Sequence, residues 1–419
     1  MKSRITVAQV LSATTLMAVI LWSPATARAA DWPQFLGPQR DGSCLGPPLA
    51  RAWPAEGPPV LWKRDVGAGF AGPAVSADRL ILFHRRDDLA VVECLEARTG
   101  KPVWKASYPT DYQDDFGFDN GPRATPAIAD NRVFTFGAEG GLYGWNLTNG
   151  QKLWNVDTAR EFAAGKGFFG RACSPLVWSN LVIVTLGGSA GAGIVAFEVA
   201  SGKVRWKATD DEASYASPVT ARINGQPCLL ALTREALVSL SPADGRVHFR
   251  YPWRPPLGAS VTAATPLIVD DLIFLSGSYG AGARLLRFQK HGPELVWSAE
   301  DVLSNHYATS VQRQGFLYGW HGRQEQGCDF RCVELKTGKV RWTQTGLKAG
   351  TVTLVGEELL LLTERGELLR LPAAPDRFKP TARAQVLPSG VRAAPALADG
   401  LLYARSEKRL VCLDLTREP

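Results

Sequence analysis

The residues of this chain best equipped for chemistry stand in six short loop segments. They read Asp114-Asp-Phe-Gly-Phe-Asp-Asn-Gly-Pro-Arg123, Phe168-Phe-Gly-Arg171, Asp210-Asp-Glu-Ala-Ser-Tyr215, Ala259-Ser-Val-Thr262, Leu303-Ser-Asn-His-Tyr307 and Ser389-Gly-Val-Arg392. From them come nine candidate ligand-binding residues: Asn120, Arg123, Arg171, Glu212, Tyr215, Asn305, His306, Tyr307 and Arg392. Arginine offers a planar fork of donors that matches a carboxylate. His306 carries an imidazole able to move a proton near neutral pH. The competing expectation is a hydrated loop rim whose side chains pair with one another, since loops that run over a surface are polar by default.

No residue is assigned a catalytic or metal-binding role. Asp114-Asp115 and Asp210-Asp211-Glu212 hold oxygens suited to calcium but lack EF-hand spacing. No two of the five His have zinc-like spacing. The glycines of Gly187-Gly-Ser-Ala-Gly-Ala-Gly193 lie between apolar strand-like segments, so no helix follows to cradle a phosphate. No Gly-x-Ser-x-Gly elbow occurs in a strand-to-helix setting.

What positions these loops is a repeat. Cys94-Leu-Glu-Ala-Arg-Thr-Gly-Lys-Pro-Val-Trp104 recurs as Trp145-Asn-Leu-Thr-Asn-Gly-Gln-Lys-Leu-Trp154, Phe197-Glu-Val-Ala-Ser-Gly-Lys-Val-Arg-Trp206 and Cys332-Val-Glu-Leu-Lys-Thr-Gly-Lys-Val-Arg-Trp342. Weaker copies end at Phe249, Trp297 and Phe378, and Trp62 closes a partial one. Each unit opens on a small residue, often before proline, as in Gly72-Pro, Thr125-Pro, Ser174-Pro, Ser217-Pro, Thr265-Pro and Ala394-Pro, with Thr309-Ser and Thr351-Val completing eight. The closing aromatics are 36 to 52 residues apart. Segments of period two, rich in Val, Leu, Ile and aromatics, at this spacing are the mark of four-stranded propeller blades.

The glycine of each Thr-Gly-Lys turn supplies the positive φ of a tight hairpin, and the following Trp packs against a neighbouring blade. Asp399-Gly400 is a strong two-residue hairpin signal. Trp62 lacks a first half before it, and the last first half, from Ala394 to Leu415, lacks a Trp strand after it. The N-terminal strand is therefore expected to complete the C-terminal blade and remove the exposed edge. The expected fold is all-β: an eight-bladed propeller of four-stranded antiparallel blades over residues 60–415, with a tail at 416–419 and an extended surface arm at 30–59.

Residues 1–29 read as a signal peptide, with Lys2 and Arg4 before an apolar stretch and Ala27-Arg28-Ala29 as the cleavage signal. Without them the chain has 44 basic and 40 acidic residues, a net charge of +4. That balance is mild and unclustered, so no nucleic-acid partner is expected. No later stretch is long enough to span a membrane. Of seven Cys, Cys328 and Cys332 are near enough in sequence for neighbouring strands to bring them together, while Cys94, Cys332 and Cys412 hold equivalent repeat positions as small core residues.

The Thr-Gly-Lys-x-x-Trp copies at 97–104, 147–154, 199–206 and 335–342 make the chain resemble the pyrroloquinoline quinone-repeat propellers. It also resembles a bacterial exported subgroup that opens with Asp31-Trp-Pro-Gln-Phe-Leu-Gly-Pro-Gln-Arg-Asp-Gly42. That superfamily contains quinoprotein alcohol dehydrogenases and the non-catalytic propeller of the outer-membrane β-barrel assembly machinery. This chain has neither the vicinal Cys-Cys pair of many dehydrogenases nor a lipid-attachment Cys after its cleavage signal.

The resemblance implies a periplasmic or secreted, monomeric, non-catalytic scaffold without cofactor, binding a protein partner or small ligand in the envelope. The alternative it implies is a quinone-dependent oxidoreductase. There, Arg123, Arg171, Asn305 and Arg392 would hold pyrroloquinoline quinone together with calcium.

Overall fold

The computed structural model describes residues 31–223, 225–289 and 292–418. The expected signal peptide lies outside the described residues. Eight antiparallel four-stranded units, one of them joined by a short fifth strand, follow one another along the chain as the blades of a propeller. Their strands span residues 74–109, 127–157, 176–208, 219–252, 267–299, 311–344, 350–385 and 396–414, numbered here as blades 1 to 8. The eighth blade takes its fourth strand, Val60–Asp65, from the N-terminus, where Trp62 pairs with Cys412. The ring is thus closed by the strand expected to close it.

Why this sequence repeats itself is visible at the blade interfaces. The Trp of one blade does not pack on the glycine of its own repeat. It packs on the glycine of the next blade. A Cβ added at Gly150 would lie 2.5 Å from the Trp104 ring, at Gly202 2.6 Å from Trp154, and at Gly245 2.6 Å from Trp206. Each indole N–H then donates to a carbonyl three residues before that glycine: Trp104 to Leu147 at 2.7 Å, Trp154 to Val199 at 2.9 Å and Trp206 to Pro242 at 3.1 Å. Glycine is therefore needed twice over, for its positive φ and for the bare face it shows the indole.

Across each of three blades, the Trp faces a fully buried Cys: Cys94 opposite Trp104, Cys332 opposite Trp342 and Cys412 opposite Trp62. All seven thiols are free. Cys328 and Cys332 are thus not joined, and Cys328 lies just ahead of the strand that carries Cys332. Phe378 also departs from its expected place. The outer strand of blade 7 is Ala382–Gln385, and Phe378 stands before it, 5.7 Å edge-on to Trp342 of blade 6.

A second set of contacts follows the axis in an arc from blade 1 to blade 6. The small or hydroxyl residues that open the units bond from blade to blade. Gly72 N–H donates to Thr125 Oγ1, Thr125 N–H to Ser174 Oγ, Ser174 N–H to Ser217 Oγ, Ser217 N–H to Thr265 Oγ1 and Thr265 N–H to Thr309 Oγ1, at 2.9–3.4 Å. These backbone donors stand just ahead of the inner strands, outside the ladder of their own sheets, and the next blade's hydroxyl satisfies each one.

The first part of the N-terminal arm, residues 31–44, is largely off the surface, whereas Leu45 and several residues after it are exposed. Trp32 is buried, pairs with Val75 of blade 1 and opens a segment that crosses the channel. Pro33 accepts from Ile128 of blade 2. Arg40, 3% exposed, donates to the carbonyls of Ser174 and Pro175 in blade 3 at 3.0 Å. Ser43–Cys44 then lies parallel to Leu354–Val355 as a fifth strand on the inner edge of blade 7. Apolar side chains (Trp32, Leu36) and one deeply buried cation thus fill the space that the ring leaves at its axis. Burying that cation among carbonyls pushes its pKa down to about 10.

Candidate functional site

Above the arm the channel remains open as a cup of about 210 Å³. Trp32, Phe35 and Leu36 of the arm line it, together with Thr125, Ser174 and Ser217, each just ahead of an inner strand, and Thr351 of the inner strand of blade 7. Its walls toward the loop face are Phe70, Phe118, Arg123, Phe169, Tyr215, Tyr279, His306, Tyr307, Gln324, Glu325 and Arg392. Five of the nine sequence candidates meet here: Arg123, Tyr215, His306, Tyr307 and Arg392.

The other four do not. Asn120 accepts from Asp114 N–H at 2.8 Å and holds its own loop together. Asn305 is 1% exposed, donates to the Trp320 carbonyl and accepts from Ser310, so its amide is spent inside blade 6. Arg171 and Glu212 line a separate cavity between blades 2, 3 and 4. Their loops enter inner strands, which is why sequence position alone puts them at the channel. Arg171 turns sideways under blade 2 to the Glu139 and Ala164 carbonyls, and Glu212 stays exposed and pairs with Arg234 of blade 4, choices that loop position alone does not make.

The two arginines of the cup are layered with aromatic rings. Arg392 lies 5.2 Å from the Phe118 centroid and 5.4 Å from that of Phe70. Arg123 lies 5.6 Å from Phe70 and 6.0 Å from Phe169. The resulting stack ties together the loops that enter blades 8, 1, 2 and 3. Each guanidinium also has its own carboxylate: Arg123 bonds Asp114 at 2.7 Å and Arg392 pairs with Glu364 at 3.2 Å. Gln324, with its amide oriented to suit its neighbours, bridges Glu364 and Arg392. Tyr307 donates to Glu364 at 3.0 Å. Burial lifts the Glu364 pKa while Arg392 opposes the shift, and burial also raises Tyr307 well above the usual phenol range.

His306 sits on the facing wall. Its Nε2 is 3.1 Å from the Tyr279 hydroxyl, and its Nδ1 is buried without a partner. Burial, with Arg323 and Arg392 nearby, lowers its pKa to about 4 despite Glu325. The imidazole is therefore neutral at pH 7, and the cup carries little net charge.

Sequence reasoning took only the loops that enter inner strands. The hairpins between second and third strands reach the same face, and they supply Tyr279, Gln324, Glu325 and Glu364. Phe118 and Phe169 stand within two of the loop segments, beside the polar candidates Asn120, Arg123 and Arg171. Phe116 and Phe118 are 58% and 45% exposed, and with Phe168 and Phe169 they make an aromatic knob on the rim, centroids 5.1–6.2 Å apart.

The sequence profile described as outer membrane protein assembly factor BamB matches residues 51–229 and again 88–344. The chain belongs to that family. The two matches overlap because successive blades can each be laid on the same repeat.

A BamB from Alkalilimnicola ehrlichii is 43% identical over 42 residues, covering 10% of this chain and 11% of that protein. Among solved structures, BamB from Moraxella catarrhalis superposes with a TM-score of 0.63 at 16% identity, over 85% of this chain and 99% of that one. Quinohemoprotein alcohol dehydrogenase from Comamonas testosteroni superposes with a TM-score of 0.66 at 14% identity, over 93% and 82%. At these identities the two superpositions speak to the fold alone, which a binding protein and an oxidoreductase share.

Proposed function

We propose that this BamB-family propeller is a non-catalytic scaffold of the cell envelope that docks a protein partner through its loop face. The observation that carries this reading is the Phe116–Phe118–Phe168–Phe169 knob, with Phe116 and Phe118 exposed and Phe168 and Phe169 half-buried beside paired charges. Large aromatics in water are costly to keep and are the residues that anchor protein interfaces. The paired charges around them suit the polar rim of such an interface. The family's assembly-factor description supports a partner at the outer membrane, and the signal-like first 29 residues support export.

The quinone reading has less support from the residues present. Of the four side chains that would hold the quinone's carboxylates, Arg171 and Asn305 are turned away from the cup, and Arg123 and Arg392 already hold carboxylates. Among the described residues, no three His, Cys, Asp or Glu side chains cluster, so calcium would have to be held largely by backbone and amide carbonyls. The cup is also smaller than the roughly 300–1,000 Å³ that a drug-sized ligand occupies.

A photo-crosslinking amino acid at position 118, in the native envelope, tests the docking reading. The control is the same residue at position 205, exposed on an outer strand of blade 3. A discrete protein adduct from 118 and none from 205 is the expected result. Equal labelling at both positions, or none at 118, would refute docking at the rim. Absorbance titration of the purified chain with pyrroloquinoline quinone and calcium is expected to stay flat, and a saturable bound-cofactor spectrum would revive the oxidoreductase.

A further inference from the structure

Beside the cup, and separated from it by Tyr215 and Ala172, lies a second cavity of about 350 Å³ between blades 2, 3 and 4. Its roof is the loop 165–171, its wall the end of the second strand of blade 3 and its far side residues 212–215 and Arg234. Tyr215 fixes the roof by accepting from Phe168 N–H at 2.8 Å and Phe169 N–H at 3.2 Å. Gly167, at φ +65°, passes so close that a Cβ would stand 3.0 Å from that hydroxyl.

The lining contains a buried cation that makes no salt bridge among the described residues. Arg171 is 6% exposed. Its two terminal nitrogens donate to neutral carbonyls, of Glu139 and Ala164, and its Nε has no partner. The other cations of the lining are paired: Lys166 with Asp115 at 2.6 Å and Arg234 with Glu212 at 3.2 Å. Thr185, 1% exposed on the same lining, has an Oγ1 without a partner.

The nearest buried carboxylate is Glu139. It is engaged with the Tyr108 and Thr110 hydroxyls and with Gly141 N–H, and it makes no bond to the guanidinium. Burial moves it toward its protonated form, so it answers Arg171 incompletely. A buried charge that is only partly compensated is destabilising, and a guanidinium does not readily shed its proton to escape that cost.

We propose that this cavity is a binding site for a small oxyanion, a phosphate- or carboxylate-bearing molecule, held by Arg171 and Thr185 with Lys166 at the entrance. A guanidinium takes two oxygens of such a group at once, and a buried hydroxyl can donate to a third. Glu212 on the same lining disfavours a second anionic group, so the ligand carries its charge at one end. The site is independent of the aromatic rim and does not rest on the docking reading.

Isothermal titration of the full chain, in chloride at constant ionic strength, uses orthophosphate, sulfate and acetate as probes. Saturable one-to-one binding of at least one probe is expected, accompanied by a rise in Tm that follows occupancy. The phosphate and sulfate arms against the acetate arm tell a tetrahedral ligand from a planar one. Arg171→Gln is expected to abolish binding. Lys166→Gln and Thr185→Val are each expected to weaken it about tenfold, and Arg205→Gln, a loss of charge elsewhere, to leave it unchanged. No saturable binding of any probe overturns the proposal, as does unchanged affinity in Arg171→Gln. Should Arg171→Gln not fold, undiminished affinity in both other lining variants overturns it equally.

Discussion

Gly245→Ala tests the idea that the repeat exists to seat the indole of one blade on the glycine of the next. Gly245 has φ +75°, where an L-residue is strained by about 1–2 kcal/mol. The new methyl would stand 2.6 Å from Trp206 Cε3 and 2.8 Å from Cδ2, and overpacking of this kind costs about 1–3 kcal/mol. The single variant should therefore lose about 2–5 kcal/mol. Trp206→Ala removes a ring that is 7% exposed and bonded to Pro242, and should lose about 3–5 kcal/mol.

In the double variant the methyl has no ring to strike, so only its backbone strain remains. The two losses should fall short of additivity by about 1–3 kcal/mol. Urea unfolding followed by tryptophan fluorescence and circular dichroism, compared at equal m, measures this. Strict additivity would mean that the glycine is conserved from unit to unit within this chain for its φ alone, and the account of the blade interface would be wrong.

Removing residues through Asp65 takes away both the closing strand of blade 8 and the channel arm. Light scattering is expected to show aggregation at the exposed edge, and a monomer with unchanged melting would contradict ring closure. Trp32→Ala should cost about 3–5 kcal/mol in the same urea assay, because the ring is buried in the channel, whereas a surface arm would lose about 0.5 kcal/mol at most. His306, lowered from 6.5 to about 4 by burial, stays neutral when folded while the unfolded chain binds its proton. Its contribution is present above about pH 6.5, is lost as pH falls toward 4, and amounts to up to about 3 kcal/mol. The stability profile of His306→Gln should lack that component, and parallel profiles for the two proteins would refute it.

Blade number, hairpin turns and ring closure were all legible from residues in line. Asp399-Gly400 turns as its type demands, with φ of +51° and +74° between Ala398 and Leu401. Trp62 found Cys412 because each blade has to fill the same four-strand pattern and only one strand was missing. These features repeat every 36–52 residues, and a local rule applied eight times leaves little freedom.

The cup was legible by half. Each loop segment could be assigned to the channel face, yet a side chain on such a loop can point inward, sideways or back into its own blade. Asn305 turned back to the Trp320 carbonyl, and Arg171 turned sideways under blade 2 to Glu139 and Ala164. The arm carries no repeat at all, so periodicity said nothing of it. It lies across the channel because Trp32 and Arg40 find an apolar and carbonyl-lined axis there that exists only once eight blades have closed.

The sequence by itself therefore determined the eight-blade ring, since turn chemistry and strand period act between residues near in the chain. Only the tertiary structure decided what fills the axis and which charges remain unpaired. Those outcomes depend on residues from different blades meeting at a centre that no single repeat contains.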